Sequence, residues 1–338
     1  MKLVKTVDAV GHILCHDITK IIPGEFKGVA FKKGHIVREE DVEELLNIGK
    51  EHLYIYEVND SKIHENDAAV ILGNLGAGLN IELGKEIKEG KIDFYAAEDG
   101  ILKVNEELLY KLNSLGEISF ATLPDNYPVT KGQKLGGTRV IPLIIDKTKM
   151  ELAKSVVSEK ILEVRAYKKY KVGVVVTGGE VYHGRIEDKF SPVIKRKVEE
   201  YGSEVIQHFY SMDDKEMIKD CAKKLLDMGA EIVIFTGGMS VDPDDLTPSS
   251  IMEMGGELVT YGSPVLPGAM FLLSYLKGTP MMGLPGCVMY AKRTIFDLVL
   301  PRVLTGEKLD LHDIAKFGSG GLCQSCEVCH YPNCSFGK

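Results

Sequence analysis

Three times in the second half of the chain a short apolar run ends in a glycine-rich turn and gives way to a helical pattern. Val172–Val176 runs into Thr177, Gly178 and Gly179; Ile232–Phe235 runs into Thr236, Gly237 and Gly238; Thr279–Met282 runs into Gly283, Leu284, Pro285 and Gly286. Buried runs that alternate with helices need crossover connections, and crossovers produce a parallel sheet with helices on both faces. The expected fold class is therefore α/β, a three-layer domain with a parallel-rich sheet, over residues 166–306.

Capping signals divide the intervening segments. Ser191 and Pro192 read as the cap and first-turn proline of a helix that reaches Glu200 and exits at Gly202. A strand is expected over Glu204–Tyr210. Asp213 and Glu216 then read as a capping box ahead of a stripe of Met217, Cys221 and Leu225 that stops at Gly229. Thr247 and Pro248 open a helix closed near Gly255, and a last helix is expected from about Val288 to Leu304.

In a parallel sheet all strand carboxyl ends lie along one edge, so the three glycine-rich turns face one crevice, the place where open α/β sheets bind ligands. Glycine lets backbone N–H groups approach phosphate oxygens, and each following helix presents its positive end. One such turn alone reads as a tight connection; three after three strands read as a binding edge for a phosphorylated small molecule. The chain has no Gly-x-x-x-x-Gly-Lys-Ser/Thr loop, and its first strand does not lead into Gly-x-Gly-x-x-Gly. P-loop hydrolysis and dinucleotide-dependent dehydrogenation therefore lack their fingerprints.

The turn after Thr236 continues through Asp242, Asp244 and Asp245. Carboxylates beside a phosphate site suit Mg²⁺, which takes one or two of them together with waters and phosphate oxygens. A solvated loop with one aspartate as a helix cap is the plain alternative, and Asp188 is open to the same two readings.

Upstream, residues 1–58 read as a small α+β segment, with a helix over Glu39–Ile48 and a strand over Leu53–Val58, punctuated by Pro23, Gly24, Gly28 and Gly34. Residues 59–165 read as a β-rich domain with short apolar runs such as Ile118–Leu123 and Arg139–Ile145, interrupted by a helical pattern at Glu106–Leu115. A formal charge of -8 argues against a nucleic-acid surface. No run approaches a membrane span and the first fifteen residues are broken by Lys5, Asp8 and His12, so a cytoplasmic location is expected.

Taken as an ordered set, Thr177-Gly-Gly-Glu180, Gly184-Arg-Ile-Glu-Asp188, Thr236-Gly-Gly-Met-Ser-Val with Asp245 before Leu-Thr, and Gly283-Leu-Pro-Gly286 resemble the molybdopterin-binding domain of the molybdenum-cofactor biosynthesis proteins. The resemblance spans about Lys171 to Gly306 and is strongest to the insertase members (molybdopterin molybdenumtransferases). It implies molybdopterin, in free or adenylylated form, as ligand and molybdate as co-substrate. Thr177, Gly178, Gly179, Glu180, Thr236, Gly237, Gly238, Ser240, Gly283, Pro285 and Gly286 then become ligand contacts, while Asp188 and Asp245 become catalytic carboxylates that hold Mg²⁺. The implied activity is transferase chemistry, with molybdate entering as AMP leaves. A homo-oligomer and a molybdoenzyme that accepts the product are compatible with it.

The chain departs from the insertase pattern at Gly179, where those proteins show aspartate, and at Ser263–Gly268, where they carry lysines. A Met-Asp-Gly-Tyr-Ala stretch is missing as well. A non-catalytic carrier, chaperone or sensor of the cofactor is thus the alternative reading, and hydrolysis of a nucleotide at the same edge is a third.

Residues 307–338 form a tail in which Cys323, Cys326, Cys329 and Cys334 crowd together beside His330. That is metal-ligand spacing, read either as an iron–sulfur cluster site or as a zinc site with His330 as a substitute ligand. A flexible reduced tail that binds nothing is the remaining alternative.

Overall fold

The computed structural model describes residues 2–22, 25–55 and 61–338. The expected turn at Pro23 and Gly24, and Tyr56–Val58 of the expected strand, lie outside them. The chain divides into two compact units. One holds the described residues up to Tyr95 with Val104–Leu123 and Gln133–Glu163; the other holds Ala96–Lys103, Pro124–Gly132 and Val164–Lys338.

In the first unit, Lys2–Lys5 pairs antiparallel with His52–Ile55, and Ile18–Ile22 forms a hairpin with Phe26–Phe31. The helix Glu39–Asn47 drops Leu45 into a core of Leu14, Ile18, Phe31, Leu53 and Ile55. Further along, Ile81–Leu83, Lys91–Ala96, Lys134–Val140 and Ile118–Thr122 make a four-stranded sheet, with Phe94 and Phe120 stacked at 4.8 Å. The expected run Arg139–Ile145 is two strands, Lys134–Val140 and Ile144–Asp146. Helices Glu65–Gly76 and Lys147–Val156 were not anticipated. The first carries Gly73 and Gly76, which read locally as turn residues, so only its burial against the sheet reveals it.

The second unit is built on a six-stranded sheet of β1 (Lys171–Thr177), β2 (Glu204–Ser211), β3 (Ile232–Thr236), β4 (Glu257–Tyr261), β5 (Leu272–Leu276) and β6 (Thr279–Leu284), in the order β2-β1-β3-β6-β5-β4. The pairs β2-β1, β1-β3 and β3-β6 are parallel, whereas β6-β5 and β5-β4 are antiparallel. Strands β4 and β5 escaped the sequence reading, because Gly256, Gly262, Pro264 and Pro267 break their surroundings into apparent turns.

Side-chain parity separates two cores. Val172, Val174, Val176, Ile232, Ile234 and Met282 join Ile194 and Val198 of α2 (Phe190–Glu199), which comes after the short α1 (Gly179–Tyr182), and Phe296 and Val299 of α5 (Ile295–Leu304). Val175, Val233, Phe235 and Met281 join Ile218, Cys221, Ala222 and Leu225 of α3 (Lys215–Asp227) and Ile251 of α4 (Thr247–Glu253). Successive strand residues point to opposite faces, so a run such as Val172–Val176 is apolar throughout because both faces are covered. Each large side chain buried this way contributes roughly 1.5–3 kcal/mol.

Three helix starts differ from expectation. Helix α2 begins at Phe190, and the Asp188 carboxylate, not Ser191, accepts from the N–H groups of Phe190 (2.8 Å) and Ser191 (3.1 Å). In α3 it is Asp214 that accepts from Met217 N (2.8 Å), which leaves Asp213 outside the cap. The last helix is not continuous from Val288. A short 3-10 turn, Gly286–Met289, precedes α5, which starts afresh where Thr294 and Asp297 form a capping box. A threonine with aspartate three residues later satisfies two orphan backbone donors reciprocally, and that nucleates the helix there.

Past α5, helix α6 (Leu311–Lys316) leads to residues 317–338, which pack as irregular chain with Phe336 buried in the core that holds α5. Among the described residues no helix is long and apolar enough to cross a membrane.

Candidate functional site

The loops after β1 and β3 meet through buried hydroxyls. Thr177, 4% exposed, donates to the carbonyl of Thr236 (3.1 Å) and shares a hydrogen bond with Thr247 Oγ1 (3.1 Å). Gly178 N donates to the carbonyl of Ser211 (3.1 Å), which joins the same loop to the end of β2. Gly237 takes φ +82°, and a Cβ there would lie 2.2 Å from the Thr177 carbonyl oxygen. The position thus tolerates only glycine, for its left-handed conformation and for the close approach. Gly238 stands beside Thr247 Oγ1 and Asp213 Oδ1. The carboxyl ends of β1, β2 and β3 are in this way bound into one edge.

Gly283 is placed differently. It lies inside β6 against the thioether of Met239, so it serves packing beneath the loop. Pro285 and Gly286 follow at the start of the 3-10 turn, where Val288 N donates to the Pro285 carbonyl (3.1 Å).

Acidic groups collect at the edge. Asp213, just past β2, accepts from the Gly179 N–H. Burial of its carboxyl raises its pKa, and the charges of Glu180 and Asp245 raise it further, against the lowering by that N–H. A carboxylate raised by two neighbouring carboxylates sits where a cation or a proton is favoured. Asp245 Oδ2 accepts from Ser240 N (2.7 Å), while Asp242 Oδ1 accepts from Asp244 N (3.1 Å), so the acidic loop folds upon its own backbone. Tyr261 OH donates to the Met239 carbonyl (3.1 Å) and steadies the loop from β4. Burial and then Asp245 raise the tyrosine's pKa.

Asp188 belongs to another group. Besides capping α2 it accepts from Tyr210 OH at 3.4 Å, and burial followed by the Asp188 charge raises that phenol's pKa. Its hydrogen bonds run to Phe190, Ser191 and Tyr210, and none of them joins it to Asp245. Thr236 Oγ1 is buried with no hydrogen-bond partner among the described residues, at the mouth of the loop it opens.

The residue that sequence reading missed is Asp213. Sequence alone reads it as a helix cap, yet it lies two residues past a strand whose carboxyl end shares the edge, and that placement is the available signal. Among the described residues no three histidine, cysteine, aspartate or glutamate side chains stand close enough together to hold one metal ion. For Mg²⁺ this is no misfit, because one or two carboxylates with waters and phosphate oxygens complete its shell. The carboxylates of Asp213 and Asp245, which influence one another electrostatically, offer that donor chemistry.

Residues 173–305 match the sequence family described as probable molybdopterin binding domain, and residues 3–57 match a domain of unknown function, DUF8806. The chain is 30% identical over 211 residues to a molybdopterin molybdenumtransferase of Haemophilus influenzae, covering 58% of this chain and 51% of that protein. It is 32% identical over 90 residues to a CinA-like protein of Mycobacterium avium, covering 26% of this chain and 21% of that protein. The chain thus spans about half the length of the first relative and about a fifth of the second. Among solved structures, the molybdopterin biosynthesis moea protein from Pyrococcus horikosii aligns at 20% identity over 75% of this chain and 81% of that one, with a TM-score of 0.35.

Proposed function

We propose that the chain binds molybdopterin, adenylylated in its reactive form, along the edge formed by the loops after β1 and β3, and that it transfers molybdate to it with release of AMP. The proposal treats residues 166–306 as a three-layer α/β domain with 1–58, 59–165 and 307–338 as separate parts. One observation carries it: Thr177, Gly237, Thr247 and Asp213 come together from four segments at the carboxyl edge, within the residues that match the molybdopterin-binding family.

In this reading the backbone N–H groups of Gly178, Gly179, Gly237 and Gly238 hold phosphate oxygens, and Ser240 and the Pro285–Gly286 turn flank them. Asp213 and Asp245 hold Mg²⁺ with waters and phosphate oxygens, and Asp188 reaches its water shell through Oδ2, which retains acceptor capacity beyond its contact with Tyr210. The metal supplies charge neutralisation as the phosphoanhydride breaks. The chain's own part is positioning: short hydrogen-bonded loops fix the phosphates, and the protonated fraction of Asp213 falls as a cation arrives.

A carrier that holds the cofactor without consuming it is favoured by Gly179, which stands where insertases place an acidic side chain. Purified full-length chain incubated with adenylylated molybdopterin separates the two. Transfer predicts AMP release that requires both molybdate and Mg²⁺. Retention of the intact adenylylated pterin on the protein would establish the carrier instead, and failure to retain any pterin would overturn both.

A further inference from the structure

Residues 320–338 close on themselves. Gly320 takes φ +79°, and a Cβ there would lie 2.2 Å from the carbonyl oxygen of Lys338, while Gly337 N donates to the Gly320 carbonyl at 3.0 Å. The end of the chain therefore lies against the start of its own tail. Anchors hold this loop to the second unit. Phe336 is 3% exposed, Tyr331 OH donates to the Asp297 carbonyl (3.1 Å), the Arg293 guanidinium lies 4.9 Å over the Tyr331 ring, and Cys323 N donates to the Leu266 carbonyl (2.8 Å). Asn333 also accepts from Tyr127 OH. The flexible tail considered from sequence is thus replaced by an anchored ring of chain.

All four tail cysteines and His330 line one cavity of about 480 Å³ beside Lys292. Their thiols are free; Cys326 and Cys329 are exposed and Cys323 and Cys334 are half-buried. By contrast Cys15 and Cys221 are buried, as core-filling cysteines are. Four free cysteines lining a common space are an oxidation liability unless a ligand spans them.

We propose that this ring of chain is the seat of a four-iron iron–sulfur cluster held by Cys323, Cys326, Cys329 and Cys334. Spacing favours a cluster over a single zinc ion. Structural zinc takes two separated Cys-x₂₋₄-Cys pairs, whereas here three cysteines follow one another at intervals of three. All four cysteines line one cavity, which the irons and sulfides of a cluster would fill. Cys323, Cys326 and Cys329 repeat the Cys-x₂-Cys-x₂-Cys run of iron–sulfur proteins, and Cys334 comes one residue later than the last cysteine of that run. Lys292 completes the environment: its Nζ donates to the carbonyls of Cys326 (3.4 Å) and Glu327, fixing the exposed turn and setting a positive charge beside an anionic site.

The test uses the full chain purified without oxygen, incubated with equal amounts of ferrous and ferric iron and with sulfide, and desalted. The expected product holds about four iron and about four sulfide per chain and shows visible thiolate-to-iron absorption that dithionite bleaches. Cys326→Ser and Cys329→Ser, both at exposed positions, should each lower bound iron at least about threefold with an unaltered far-ultraviolet spectrum, while Cys287→Ser, outside the ring, retains it. Zinc bound without sulfide, or iron that survives replacement of both Cys326 and Cys329, would overturn the assignment. Because the readout is iron and sulfide, it stands or falls independently of pterin binding.

Discussion

Thr177 and Thr247, seventy residues apart in the chain, meet hydroxyl to hydroxyl at 3.1 Å and bind the end of β1 to the start of α4. Thr177 also donates to the Thr236 carbonyl, so a single buried side chain holds two glycine-rich loops in register. Thr177→Val removes both contacts and leaves Thr247 Oγ1 without this partner. The expected cost is about 1–3 kcal/mol in urea unfolding, together with weaker pterin binding.

Gly237→Ala tests the close approach itself. A methyl group 2.2 Å from the Thr177 carbonyl oxygen, on a residue at φ +82°, forces the two loops apart. Pterin affinity measured by fluorescence should fall at least about tenfold, which corresponds to roughly 1.4 kcal/mol. Unchanged affinity would show that the ligand does not use this pair of loops.

Asp213 makes a pH prediction. Its pKa is raised above the ordinary 3.8, first by burial and then by Glu180 and Asp245. The folded chain therefore holds this proton more tightly than the unfolded chain does. Stability is lost as pH rises from the ordinary value through the raised one, and the loss persists above it. Asp213→Asn keeps an acceptor for the Gly179 N–H without the charge. Its Tm should match the parent at about pH 3 and exceed it at about pH 7. Mg²⁺ should raise the parent's Tm at neutral pH more than the variant's.

Asp188 separates a cap from a metal ligand. Asp188→Ala loses the acceptor for the Phe190 and Ser191 N–H groups and should cost about 1 kcal/mol. Asp188→Asn retains the cap and most of the stability. If Oδ2 serves Mg²⁺, the Asn variant should still show a sharply weakened Mg²⁺ dependence of AMP release, and an unchanged dependence would confine Asp188 to capping α2.

Lys197 and Asp297 form a buried ion pair, with side chains 6% and 2% exposed, and Arg293 adds a second hydrogen bond to Asp297 at 2.9 Å. Asp297→Ala strands Lys197 and removes the cap of α5 as well. Chemical denaturation should report a loss of about 3–5 kcal/mol, since breaking one side of a buried pair leaves a charge uncompensated.

Much of the second unit could be read from residues alone. The β-branched runs, the glycine exits at Gly202 and Gly229, and the start of α4 at Thr247 are local events. They depend on backbone propensity and on neighbours within one helical turn or one strand. The crowded cysteines were equally legible as a set.

What an aspartate does could not be read in the same way. Asp188, Asp213 and Asp214 all stand just before helices, and nothing within a few residues distinguishes them. Folding brought Gly179, Glu180 and Asp245 to Asp213, while Phe190, Ser191 and Tyr210 claimed Asp188. Likewise the sheet acquired β4 and β5 by pairing with β6, not by any strong strand pattern of their own. Local sequence determines which element a segment prefers, because that preference is settled by adjacent residues. Which polar group stays free for a ligand is a matter of the partners that distant segments bring to it, and only the tertiary structure supplies them.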